Sequence, residues 1–360
     1  FLRFLSETRE ALEALLLICG ASPFNAQILI RNPEYFYWLL DQLGLPSIKS
    51  GEHYLQETRQ AVTKFEQDSH QLQALARFMR TELLRIGARD LLKISAVSST
   101  MEELSNLAEA VIQCVYGVCL HGLMAKHGTP RYQDASGTSR DANFTILAMG
   151  KLGGQELNYS SDIDLIYIYS GEQGQTEATA PSQASISNME FFAKLAQAIT
   201  RVLSASTEEG YFYRVDLRLR PEGSAGPVAS SLSACRNYYG SWGETFERLA
   251  LIKARPVGGS AELGEEFCRT FNSFIYRKFL DFAALDEIQE IKSRIEAKLS
   301  SRKSHDQHVK LGTGGIREGE SLVEALQLIY GGRQPELQQR RTLRALAELA
   351  RLGYLQLAEH

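Results

Sequence analysis

Met149-Gly-Lys-Leu-Gly-Gly-Gln-Glu-Leu-Asn-Tyr-Ser-Ser-Asp-Ile-Asp-Leu-Ile-Tyr167 is the stretch on which the fold and the chemistry of this chain turn. It continues the apolar run Phe144–Met149 and leads into Ile163–Tyr169, which partly alternates and is rich in β-formers. This predicts strand, glycine turn, strand. Gly153 and Gly154 would let backbone N–H groups approach a ligand closely. A helical turn from Gln155 would aim its N-terminus at an anion. Asp162 and Asp164 stand two apart at the strand head, so both carboxylates leave one face while Ile163 and Leu165 enter a core. Two like charges side by side cost free energy unless something positive lies between them.

A third carboxylate comes from Tyr211–Leu219 (YFYRVDLRL), whose alternation predicts another strand. Asp216 lies in the middle of it, where an unpaired buried carboxylate would be expensive. Arg214, Asp216, Arg218 and Arg220 share one face by period two, and arginine binds phosphate bidentately. Two divalent cations about 4 Å apart need such a cluster and clamp the attacking and leaving oxygens of a phosphoryl displacement. Hard oxygen ligands favour two Mg²⁺ or Mn²⁺ ions over zinc. Each motif has a bland alternative: Asp-x-Asp as a solvated strand end, and an arginine-rich strand face as ion-paired surface. Their coincidence after a glycine turn, in one small α/β region, favours the metal reading. No Ser, Cys or His is paired as an activated nucleophile, so the attacking group should come from a substrate.

Outward from this centre the pattern becomes helical on both sides. Leu12, Leu15, Leu16 and Cys19 recur at helical spacing, as do Leu72, Leu75, Phe78, Met79 and Leu83. Ser22–Pro23 fits an N-cap followed by proline. Ser99 with Glu102, and Ser187 with Glu190, read as capping boxes, the first opening a helix that ends near Gly122. Nothing before residue 126 gathers polar residues of catalytic type, so this region reads as scaffold. His127–Asn143 and Gly171–Ala184 read as polar loops. Leu249–Arg255 reads as a helix, and Ser260 as the cap of another. Leu285–Leu299 is a charged amphipathic run, Ser300–Lys310 a polar connector, and the tail is helical with a break at Gly331–Gly332. The expected fold class is α+β, in three regions: a helical domain over 1–126, an α/β domain over 127–259 with helices on one sheet face, and a helical domain over 260–360.

Composition sets limits. With 360 residues, 44% hydrophobic and 23% charged, the chain can bury a substantial core. It opens on Phe1, which points to a fragment of a longer protein. Lysines and arginines number 39 against 43 acidic residues, a net charge of -4, so nothing global draws it to nucleic acid. Five cysteines without metal-knuckle spacing read as free thiols. Leu104–Ala125 is interrupted by Glu109, Gln113 and His121, so no membrane span is expected. With no signal segment in view, the expected location is cytoplasmic.

Four stretches together carry a resemblance: MGKLGGQELNYSSDIDLIY (149–167), YRVDLRLRPEGSAGP (213–227), FERLALIKARPVGG (246–259) and KLGTGGIRE (310–318). They resemble the bifunctional glutamine synthetase adenylyltransferase/adenylyl-removing enzymes, a family of the DNA polymerase β-type nucleotidyltransferase superfamily. The resemblance covers nearly the whole chain and implies a polymerase β-type α/β domain flanked by the helical domains. The wording 214–221 and 314–318, with Ile30–Glu34, is closer to the amino-terminal module. That module removes AMP from a modified tyrosine of glutamine synthetase by phosphorolysis, releasing ADP.

By the family pattern Asp162, Asp164 and Asp216 would be catalytic metal ligands, and Gly153, Gly154 and Ser161 would form the phosphate-facing turn. Lys151, Arg218, Arg220, Lys253 and Arg255 would contact phosphate or line the cleft; the cations of 249–255 read equally well as solvating a helix. Implied partners are glutamine synthetase, the PII regulatory protein and a carboxy-terminal adenylyltransferase module. The alternatives are adenylyl transfer from ATP onto tyrosine, and a catalytically silent regulatory module. The triad alone would also suit a nucleic-acid polymerase, which the acidic composition disfavours. One departure stands out: Gly319 and Ser321 replace large apolar residues, which would lose roughly 1.5–3 kcal/mol of burial at each if these were core positions.

Overall fold

The computed structural model describes residues 2–43, 48–207, 210–278 and 316–355. The Leu285–Leu299 amphipathic run and the Ser300–Lys310 connector lie outside them. The chain is mixed helix and sheet and forms two compact units: Phe1–Lys126 with Gln155–Asp162 and Gln197–Val215, and His127–Gly154 with Ile163–Ala196 and Asp216–His360.

The first unit begins with α1 (Leu2–Glu7), α2 (Arg9–Ala21), α3 (Pro23–Arg31), α4 (Tyr35–Leu43), α5 (Gly51–Val62), α6 (Asp68–Leu91) and α7 (Val97–His127). Ser22 caps α3 as expected, its Oγ accepting from the Asn25 N–H at 3.2 Å. Ile18, Ile28, Phe36, Leu39, Leu84 and Ala88 form one apolar core within α2–α6. The capping box expected at Ser99 is displaced: α7 already starts at Val97 and runs 31 residues, past Gly122. At that length it is long and apolar enough to cross a membrane by length and composition alone, which the reading of 104–125 had ruled out. Its apolar residues Leu107, Ala108, Val111, Ile112 and Val115 are wholly buried in the protein, which accounts for the composition as that of a core helix.

Polar side chains are buried there too. Arg85 Nε donates to Glu82 at 2.9 Å, and its Nη2 donates to Glu103 and to the Tyr54 hydroxyl at 2.8 Å. Lys49 Nζ reaches Glu82 at 2.8 Å. Burial alone would lower the Arg85 pKa, but the surrounding Tyr54, Glu82 and Glu103 raise it, so the guanidinium stays charged.

The second unit holds β1 (Thr129–Gln133), β2 (Ser139–Asp141), β3 (Phe144–Ala148), α8 (Gly150–Gly153), β4 (Ile163–Tyr169), β5 (Gln175–Glu177) and the start of α9 (Asn188–Ser204). Then come β6 (Val215–Asp216), β7 (Ala229–Ser231), α10 (Leu232–Ser241), α11 (Thr245–Leu251), β8 (Arg255–Gly259), α12 (Ala261–Ile275), α13 (Ile316–Tyr330) and α14 (Thr342–Arg351). The main sheet runs β6-β4-β3-β8, with β7 also paired to β4. β3 is antiparallel to both neighbours, with Phe144 opposite Tyr169 and Ala148 opposite Leu165.

Helices cover both faces of this sheet, not one. Phe192 of α9 stacks on Phe144 and Tyr169 at 5.6 and 5.0 Å, while Leu147, Ile166 and Ile168 pack with residues of α10, α11 and α12. Strands buried on both sides become continuous apolar runs, which is why FTILA and IDLIYIY look as they do.

Four sequence expectations change. The two polar stretches read as loops contain β1, β2 and β5, a sheet in the order β2-β1-β5. Its strands are joined by backbone ladders that set Arg131 opposite Asp141 and Gln175, without an alternating apolar pattern. Tyr211–Leu219 is strand only at Val215–Asp216, because Asp216 Oδ1 accepts the Arg218 N–H at 2.9 Å and turns the chain out of the ladder. The helix read over Leu249–Arg255 stops at Leu251, and Arg255 opens β8. Gly319 is exposed, and a methyl there would touch nothing, so no buried side chain is lost at that position.

Candidate functional site

β3 ends at Ala148 and the chain turns at once into α8, a single helical turn starting at Gly150 and not at Gln155. Gly150 has φ +53, which favours glycine. A methyl there would also lie 2.8 Å from Asp164 Oδ2, so the bare backbone makes room for that carboxylate. The Met149 N–H donates to the Asp164 carbonyl at 2.9 Å, tying the turn to the head of β4. Ile163 and Leu165 are fully buried, as the alternation requires.

Gly153 and Gly154 behave differently from the expected phosphate cradle. Their N–H groups donate to the Met149 and Gly150 carbonyls, both at 3.0 Å, and are used inside the turn. Gly153 is small because a methyl there would collide with the carbonyl oxygens of Lys253 and Ala148. The close approach is to the protein's own backbone. Ser161 closes a turn in the first unit, its N–H donating to the Asn158 carbonyl at 3.3 Å.

The cations divide by what they hold. Arg255 caps α8, donating from Nε to the Gly153 carbonyl and from Nη2 to the Leu152 carbonyl, both at 3.2 Å. Arg220 folds back onto its own loop, donating to the carbonyls of Leu217, Ser224, Gly226 and Pro227. It therefore leaves the strand face expected from alternation. Lys253 is buried, with Nζ 3.0 Å from Thr342 Oγ1 and 3.5 and 3.8 Å from Glu324 and Glu320. It braces β8 against α13 and α14 and does not line a phosphate cleft. Lys151 is half-buried and makes no ion pair among the described residues.

Two arginines sit on the candidate carboxylates. In the first unit Arg214 Nε pairs with Asp162, and its Nη2 donates to the Ser160 carbonyl at 2.7 Å. Period two placed Arg214 on the polar face without a task; its partner could not be read from spacing, because it lies 52 residues away. In the second unit Arg218 Nε spans both oxygens of Asp216 at 3.0 and 2.9 Å. These hydrogen bonds, ahead of the opposing effect of partial burial, hold the Asp216 carboxyl below its ordinary pKa.

Hard carboxylate oxygens are the donors that Mg²⁺ and Mn²⁺ take, and Asp164 and Asp216 lie on neighbouring strands of one sheet. A guanidinium already stands at Asp216 as a cation does. The donor chemistry thus fits a divalent ion, although among the described residues no three His, Cys, Asp or Glu side chains are gathered for one. With each arginine in place, Asp162 and Asp216 are paired carboxylates.

Comparison with known proteins decides the family. The model of the glutamate-ammonia ligase adenylyltransferases matches residues 12–270. The chain belongs to this family. Its members are nucleotidyltransferases. A second model, GlnD PII-uridylyltransferase, matches residues 286–360, of which the structure describes 316–355. Proteins named bifunctional glutamine synthetase adenylyltransferase/adenylyl-removing enzyme are similar along nearly the whole chain. That of Nitrosococcus oceani is 39% identical over 347 residues, 96% of this chain and 35% of that protein. The one from Thioalkalivibrio sulfidiphilus is 40% identical over 351 residues, 95% of this chain and 35% of its own length. The Pseudomonas aeruginosa protein is 39% identical over 348 residues, 96% and 34%. The chain thus spans about a third of the length of the curated relatives it matches.

Proposed function

We propose that this chain is the adenylyl-removing module of such an enzyme, which takes AMP off a tyrosine of glutamine synthetase by phosphorolysis and releases ADP. The observation that carries the reading is the pairing of exposed arginines with Asp162 and Asp216. These carboxylates are countered by cations that can be exchanged, and Gly150 leaves room for the Asp164 carboxylate. Asp162, Asp164 and Asp216 would hold two Mg²⁺ or Mn²⁺ ions in a polymerase β-type nucleotidyltransferase layout. When bound, such ions stabilise charge on the attacking and leaving oxygens.

The protein's own residues bind and orient. Arg218, released from Asp216, meets the incoming inorganic phosphate bidentately, and Lys151 offers a further cation near the turn. A phosphate oxygen forms the new bond to the AMP phosphorus, the bond to the tyrosine oxygen breaks, ADP leaves, and the tyrosine oxygen takes a proton. A thiolate nucleophile is disfavoured: burial raises the thiol pKa of all five cysteines, which keeps them protonated.

Glutamine synthetase as protein substrate draws on the names of the relatives. The span of a third of their length is consistent with a carboxy-terminal adenylyltransferase module in the same polypeptide. PII as regulator and a cytoplasmic location complete the proposal. The full-length parent, given adenylylated glutamine synthetase, Mg²⁺ and phosphate, should release ADP and bare tyrosine. AMP as the product would replace phosphorolysis by hydrolysis. Pyrophosphate from ATP with newly modified tyrosine would favour the transfer direction, which the family name also carries.

A further inference from the structure

The helical part of the first unit reaches the segment that ends at Asp162, since residues 155–162 pack within that unit. Leu157 is buried, and its N–H donates to Ser105 Oγ at 3.1 Å. The same hydroxyl donates to the Met101 carbonyl of α7 at 2.8 Å. Ser105 has no exposed surface and is used in both directions, so it cannot turn away without stranding a buried backbone group. Two residues on, the Tyr159 hydroxyl faces the Asp90 carboxylate of α6. At the far end Arg214 holds the Ser160 carbonyl and the Asp162 carboxylate.

The backbone just before and among these anchors is strained. Gln155 and Ser160 have φ of +55 and +54, a region that non-glycine residues occupy only where their surroundings impose it. The base is rigid as well, because Arg85 links Glu82 on α6 to Glu103 on α7 and opposes any slide of one helix along the other.

We infer that Ser105 and Asp90 are positioning residues, acting through Leu157 and Tyr159 to set the 155–162 segment and thereby the Asp162 carboxylate. The link to chemistry rests on Asp162 being a carboxylate of the reacting site; the anchoring of the segment does not.

The test uses the full-length enzyme with Ser105→Ala, Tyr159→Phe and, as control, Thr58→Ala. Thr58 is an equally buried hydroxyl of the same unit that bonds to the Tyr54 and Leu55 carbonyls of its own helix and faces Cys114 of α7, not the 155–162 segment. Amide hydrogen exchange over 155–162 and the Mn²⁺ concentration for half-maximal turnover are measured, with Tm recorded for each protein. Ser105→Ala should speed exchange across 157–162 about tenfold or more and raise the Mn²⁺ half-saturation several-fold. Tyr159→Phe, whose residue is partly exposed and whose loss the fold should tolerate, should shift both less in the same direction. Thr58→Ala should lower Tm and leave both readouts alone. Equal exchange in the Ser105→Ala and Thr58→Ala proteins overturns the anchoring. Faster exchange with an unmoved Mn²⁺ dependence overturns its link to Asp162. A fully active Asp162→Asn protein would instead sink the functional reading and leave the exchange result intact.

Discussion

Arg85 between Glu82 and Glu103, and the arginines on Asp162 and Asp216, use the same pair of functional groups in opposite surroundings. In the helical interior the three side chains are at most 3% exposed. Beside the strand heads, Arg214 and Asp162 are 57% and 56% exposed, and Arg218 is 78% exposed on an Asp216 that is 18% exposed. Buried charges have given up water, so each depends on its partners, and loss of one strands the rest. At the exposed pairs water competes for the same hydrogen bonds, so an arginine can leave its carboxylate for another anion at small cost. The dry network locks two helices together; the wet pairs remain exchangeable, which is what a site needs.

The sharpest way to break this contrast is Asp164→Asn or Asp162→Asn. Either should lower ADP release on the order of 10³-fold, about 4 kcal/mol of barrier, with little change in the urea midpoint. Near-normal turnover would reduce the exposed pairs to surface decoration. Arg85→Met probes the other side: it leaves Glu82 and Glu103 buried without their guanidinium and should destabilise by ~3–5 kcal/mol in urea denaturation. A loss under about 1 kcal/mol would mean that the network behaves like a surface pair, and the contrast would vanish.

Smaller effects sharpen it. Gly153→Ala should cost ~1–3 kcal/mol because its methyl meets the Lys253 carbonyl. Unchanged stability with impaired turnover would return Gly153 to the ligand-facing role first expected of it. Arg218→Ala should change stability by less than about 1 kcal/mol yet raise the KM for phosphate several-fold. It should also move the Asp216 pKa up towards the usual carboxylate range, followed by NMR titration. With Arg218 present the folded pKa is depressed. The pair's contribution is therefore complete above the unfolded value and is lost as pH falls through the folded one. Removing Arg218 should flatten that acid-side dependence.

What was legible in the sequence was local. Ser22, Ser187 and Ser260 each cap the helix their spacing announced, because the hydroxyl and the amide it receives are three residues apart. FTILA and IDLIYIY were recognisable as strands because both faces are covered. β1, β2 and β5 carry no apolar alternation, because backbone ladders join strands whose side chains are mostly exposed or half-buried. The spacing ends α7 near Gly122 and takes Glu109, Gln113 and His121 as interruptions of an apolar run, whereas the helix continues to His127.

The strand–turn–strand order, the helical flanks and the family wording are legible in the sequence alone. These follow from neighbours a few residues apart or from motifs written contiguously. Only the tertiary structure decided what the cations do. Lys253, Arg255 and Arg220 look alike in sequence as phosphate ligands, but Lys253 is enclosed by Thr342, Glu320 and Glu324. Arg255 and Arg220 are taken up by backbone carbonyls, while Arg214 and Arg218 stay in water on their carboxylates. A charged side chain's role is set by which partners remain once water is removed, and folding brings those partners from as far as 103 residues along the chain.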